Sequence, residues 1–117
     1  MVKIILLDPF KQVYHDIAAY TMEEYGRTTL KKLTEEFNNI VNRLGSYPTS
    51  FPEEQLLNKM THKYRCIIFR KNFKIIYRYE EASNTIILID IWDMRMNPQK
   101  LKKEFNKKTN NIEKSKQ

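Results

Sequence analysis

Arg65, Lys74, Arg78 and Arg95 are the residues whose types and spacing could do chemistry. Arg65 opens the run RCIIF, Lys74 and Arg78 lie four apart in NFKIIYRYEE, and Arg95 follows IILIDIWDM. In extended chain, successive side chains point to opposite faces. Arg65, Ile67 and Phe69 then share one side of their strand, and Lys74, Ile76 and Arg78 one side of the next. Cations gathered on a sheet have three possible uses. They can grip RNA phosphates and stabilise the charge of a cleavage transition state, for which the planar arginine fork is suited. They can dock an acidic or amphipathic protein segment. They can also simply protect sheet edges from pairing with other chains.

Cleaving RNA without a metal further requires a proton acceptor for the 2′-hydroxyl and a donor for the leaving 5′-oxygen. The candidates are His62, Lys63, Lys74 and several tyrosines. His62 precedes a strand and reads as a loop residue. His15 reads as a surface position of the first helix. Cys66 reads as a small buried hydrophobe. Tyr77 and Tyr79 suit a core or its rim, and Trp92 sits near the end of the last strand as a core residue or a contact. The sequence has no metal-ligand spacing, glycine-rich phosphate loop or nucleophile elbow, so neither metal nor cofactor is expected.

These residues need a scaffold. Val2–Leu7 is a short apolar strand. Asp8-Pro9 is a helix start, and Phe10, Val13, Tyr14, Ile17 and Tyr25 recur at helical spacing over about 9–25, up to Gly26. Thr28 or Thr29 caps a second helix striped by Leu30, Leu33, Phe37, Ile40, Val41 and Leu44, ending at Gly45. Residues 45–62, with Pro48 and Pro52, read as a connection with one helical turn at Pro52-Glu53-Glu54. Three strands follow, at about 63–70, 73–80 and 85–93, joined by a two-residue turn at Lys71-Asn72 and a longer one at Ala82-Ser83-Asn84. A short helix starts at Asn97-Pro98 and passes Leu101 and Phe105. The expected fold is α+β, in the order β-α-α-β-β-β. An antiparallel sheet carries a helical hairpin on one face, with a short C-terminal helix. Residues 1–105 make the single domain, and 106–117 a polar, lysine-rich, disordered tail. Ile87, Ile89 and Ile91 are expected to face the hairpin. The opposite face, with Leu88, Asp90 and Trp92, is then open, and Arg65, Lys74, Arg78 and Arg95 converge on it with Asp90 as counter-charge.

Charge supports a polyanion or an acidic partner. The net charge is +7; residues 1–58 hold 6 Lys and Arg against 8 Asp and Glu, whereas residues 59–117 hold 15 against 6. The apolar runs are far too short for a membrane span, and one cysteine excludes an internal disulfide. The expected location is the cytoplasm, with no membrane contact.

Tyr64-Arg65, the strand Lys74-Ile75-Ile76-Tyr77-Arg78 and the segment Asp93-Met94-Arg95-Met96-Asn97-Pro98, in this order, resemble the RelE/ParE superfamily. These are toxins of type II toxin–antitoxin modules, often called plasmid stabilisation proteins. The resemblance spans roughly residues 3–101 and is closer to the ParE-like branch. It implies a growth inhibitor neutralised by a cognate antitoxin with an acidic segment. It implies one of two targets, DNA gyrase for ParE-like members or ribosome-bound mRNA for RelE-like endoribonucleases. In a ribonuclease, Lys74, Arg95 and Arg65 would be the catalytic residues. The tyrosine or histidine that RelE-like members carry beyond the strand-end arginine has no counterpart after Arg95. In either case Arg65, Lys74, Arg78, Trp92 and Arg95 would meet target or antitoxin.

Overall fold

The computed structural model describes residues 2–115, with side chains as far as residue 110. The first strand, β1 (Lys3–Leu6), leads into α1 (Asp8–Tyr25), then α2 (Arg27–Ser46) and a single 3-10 turn at Gln55–Leu57. The strands β2 (Arg65–Phe69), β3 (Phe73–Glu80) and β4 (Thr85–Asp93) follow, and α3 (Pro98–Ser115) ends the described chain.

Local chemistry sets these boundaries. Leu7, not Asp8, occupies the N-cap of α1. Asp8 and Pro9 form the first turn, where a carboxylate opposes the helix dipole and proline gives up no hydrogen bond. Gly26 alone joins α1 to α2, in place of the expected threonine cap. At φ 86° it lies where a side chain is disfavoured, its N–H donates to Met22 O, and its own carbonyl accepts from Leu30 N.

The sheet order is β1-β4-β3-β2. The last three strands form the expected antiparallel meander, but β1 runs parallel to β4, from Lys3 opposite Thr85 to Leu6 opposite Leu88. The sheet is therefore mixed, not purely antiparallel. A parallel pair needs a long crossover, and the stretch from α1 to β3 supplies it. The turn between β2 and β3 has three residues, 70–72, since Phe69 pairs with Phe73.

The expected facing of β4 fails for Ile87 and Ile89 and holds for Ile91, and a break in register separates them. Ile76 pairs with Asp90 but Tyr77 pairs with Leu88, so Ile89 is an extra residue, a β-bulge. Alternation flips there. Ile86, Leu88 and Ile91 pack with Phe10, Leu33, Leu44, Ile67, Phe69, Ile75 and Tyr77 under the α1–α2 hairpin. Ile87, Ile89 and Trp92 join Ile76, Tyr64, Leu57, Leu101 and Phe105 in a second core on the opposite face. That face is not open: α3 and the 3-10 turn cover it.

α3 also corrects the expected tail. The helix does not stop near Phe105 but continues to Ser115, with Thr109 buried and its Oγ1 donating to Phe105 O at 3.0 Å. Leu101, Phe105 and Thr109, four apart, form its buried stripe. Residues 116 and 117 lie outside the described residues. No described helix is long and apolar enough to cross a membrane.

Candidate functional site

The four sequence-selected cations do not share a platform. Register places Arg65, opposite Tyr77, on the hairpin side of the sheet, and Lys74 and Arg78, opposite Trp92 and Ile87, on the α3 side. Each is already engaged. Arg65 donates to Phe51 O at 2.7 Å, which ties the 47–64 connection to β2. Lys74 Nζ lies 2.8 Å from Oε2 of Glu54, a residue only 4% exposed, so its charge is matched inside the fold. The Cys66 thiol donates to Pro52 O at 3.8 Å, and burial, chiefly, with Glu54 nearby, pushes it up to about 11. Arg78 pairs with Glu80 at 3.0 Å. Trp92 is buried against Phe105, with ring centroids 5.7 Å apart. It supports the second core and is not at the surface.

Asp90, expected as a counter-charge on an open face, is buried beneath α3. Lys108 reaches it at 3.2 Å, and its own carboxylate caps the Ile91 N–H at 2.9 Å. Burial raises its pKa, partly opposed by Lys108. Among the expected site residues, Trp92 lines a smaller cleft beside α3, whereas Arg95 lines a larger one.

This cleft, about 430 Å³, lies between the helical hairpin and the far end of the sheet. Its wall includes Tyr20, Tyr25 and Asp16 from the hairpin, and Arg70, Asn72 and Arg95 from the sheet end. Asp93 holds the Arg95 fork in a bidentate grip, Nε to Oδ1 and a terminal nitrogen to Oδ2, both 2.9 Å. The same carboxylate accepts the Arg95 backbone N–H, and the Arg95 hydrogen bond lowers the Asp93 pKa. Arg95 is thus aimed but remains largely exposed.

Arg70 reaches the cleft through an unusual turn. Arg70 and Lys71 both take left-handed backbone, φ 50° and 67°, without a glycine. Non-glycine residues hold this conformation only when their surroundings enforce it. The enforcing group is Glu36 of α2, which accepts the Arg70 N–H at 2.7 Å and pairs with its guanidinium at 3.6 Å. The Met94 N–H donates to Asn72 O at 2.8 Å, joining the turn to the chain end that carries Arg95.

Tyr20 and Tyr25 meet edge to face, 6.2 Å between centroids, and both are exposed, as is Met94 beside Arg95. Tyr25 and Glu24 raise the Tyr20 pKa, and Arg95 opposes them. Exposed tyrosines around pre-aimed arginines are the composition of a protein-binding hot spot. Sequence reasoning did not select Tyr20, Tyr25 or Arg70. The absence of glycine in the Arg70-Lys71-Asn72 turn was the available signal.

A protein-family model, the ParE toxin of the type II toxin–antitoxin system parDE, matches residues 4–98. The chain belongs to this family. The match runs from β1 to the first residue of α3 and includes every cleft residue named above. A search of curated proteins finds no match. As a ParE-family member the protein is a toxin of a type II toxin–antitoxin module, and a cognate antitoxin is its implied partner. Among the described residues no cluster of His, Cys, Asp and Glu could hold a metal ion.

Proposed function

We propose that the protein inhibits growth by binding DNA gyrase through the Arg95 cleft in the cytoplasm, and that its cognate antitoxin neutralises it by covering this cleft. The observation carrying this reading is the cleft's composition. Two arginines held by carboxylates flank exposed tyrosines, an arrangement suited to a protein surface.

The alternative, a ribosome-dependent mRNA endoribonuclease, needs a proton acceptor and a donor beside the scissile phosphate. The cleft lining includes no histidine. Tyr20, the tyrosine that senses Arg95, has its pKa raised, away from a general base useful near neutrality. Lys74, the lysine that a RelE-like site would use, is matched by Glu54 on the other side of the sheet. Arg65, Lys74 and Arg78 accordingly act in holding the fold, with Arg95 as the target contact.

Induced expression in a bacterium tests the proposal. Growth arrest, relief by the cognate antitoxin and a DNA-damage response with intact mRNA are expected. Translation arrest with cut mRNA would replace this reading with the nuclease one. Normal growth on wild-type expression would remove the growth-inhibitor role.

A further inference from the structure

The outer face of α3 belongs to neither core nor cleft. The buried stripe Leu101, Phe105 and Thr109 defines the inner side of the helix. At 100° per residue, Lys100, Lys103 and Lys107 fall within about 60° of one another on the opposite side. All three are exposed, and no carboxylate among the described residues lies within ion-pair distance of them. Lys114 stands at the next position of the same spacing in the sequence. Neighbouring lysines at such offsets repel and destabilise a helix.

The stripe is mounted rigidly despite that repulsion. Phe105 packs edge to face on both Tyr64 and Trp92, at 5.1 and 5.7 Å between centroids. Lys108, on the flank, is tied to Asp90 at 3.2 Å. The lysines along the outer face therefore form a fixed row of uncompensated charge.

We propose that this row is a binding surface for the phosphate backbone of duplex nucleic acid. Its composition selects that ligand. A phosphate backbone asks for regularly spaced cations and no base or side-chain readout. Lys100 to Lys107 cover about 10 Å of helix axis, or about three steps of one duplex strand at roughly 3.4 Å each. No aromatic or large apolar side chain interrupts the exposed lysines, so the row lacks the anchor that a protein interface uses. The surface lies almost wholly outside the family-matched span and is independent of the target assigned to the cleft.

The test is equilibrium binding of the full chain to a short mixed-sequence DNA duplex and to an RNA duplex of the same sequence, across a salt series. Three phosphate contacts give a log–log salt slope of about −2.7, at about −0.9 per contact. The triple variant Lys100→Gln, Lys103→Gln, Lys107→Gln should lose most binding, with the slope flattened by roughly 2.7. The duplex that shows the loss names the source of the backbone, and loss on both means charge alone is read. Circular dichroism checks that the variant keeps its helix content. Arg95→Ala should bind duplex like wild type, so failure of the cleft reading leaves this result standing. A triple variant that keeps the wild-type affinity and slope overturns the proposal. So does a loss of binding to polyglutamate without any loss on either duplex, which would make the row a protein-docking surface.

Discussion

Arg95 donates two side-chain N–H groups to Asp93, and Arg70 is tied to Glu36, whereas Lys100, Lys103 and Lys107 have no such carboxylate among the described residues. The two regions carry the same sign of charge in different states of preparation. In the cleft, paired guanidiniums are held in fixed orientations between tyrosines, which favours directional hydrogen bonds to one protein surface. On α3, unpaired ammonium groups project from a helix face, which favours a repeating anion. The +9 balance of the C-terminal half, taken as one basic surface, conceals this division.

The largest effect is expected where α3 is anchored. Phe105→Ala removes a fully buried ring from the second core and should cost about 3–5 kcal/mol in denaturant unfolding. If α3 only rested on the sheet, the cost would stay below about 1 kcal/mol.

Breaking the ion pair beneath α3 comes next. Lys108→Met leaves the Asp90 carboxylate buried without its partner and should cost about 2 kcal/mol at neutral pH, reduced from the buried-pair range because Lys108 is 38% exposed. The pH dependence has a definite sign. Asp90 has a raised pKa in the folded state, so the fold binds its proton more tightly than the unfolded chain does. Its contribution is fully present below the ordinary value of 3.8 and is lost as pH rises through the raised value. Lys108→Met should steepen that loss and Asp90→Asn should abolish it, as read by unfolding at a series of pH values. An Asp90→Asn protein with unchanged pH dependence would remove Asp90 as the cause.

Tyr20→Ala sharpens the comparison from the cleft side. It should weaken antitoxin or target binding by roughly 1–2 kcal/mol, about five- to thirtyfold, with stability changed by less than about 0.5 kcal/mol. Titration calorimetry and a melt on the same sample separate the two. Equal losses in both would make Tyr20 a structural residue.

Lys71→Gly is the smallest change. Glycine relieves the left-handed backbone at φ 67°, so stability should rise by at most about 1 kcal/mol. A clear loss would mean that the Lys71 side chain contributes to the turn.

The helices and strands were legible because their apolar periods are regular, and Gly26 was legible as a break. The facing of β4 was not, since its bulge at Ile89 lies in an unbroken run, TIILIDIW, with no glycine to announce an extra residue. Nor was the length of α3. Its third buried position is Thr109, which reads as polar among lysines and asparagines until its hydroxyl is seen donating to Phe105 O. The cleft depends on Glu36 reaching a turn 34 positions away, a pairing that no local pattern encodes. The strand-end position of Arg95 was legible from its neighbours, whereas Tyr20 and Tyr25 looked like ordinary members of a helix.

Inhibition of DNA gyrase supercoiling by purified protein, compared between wild type and Arg95→Ala on the same preparation of enzyme, is the most direct test. Wild type should inhibit, and Arg95→Ala should need at least about tenfold more protein for the same effect while melting like wild type. Wild-type protein that leaves supercoiling untouched but cuts mRNA on ribosomes would contradict the account.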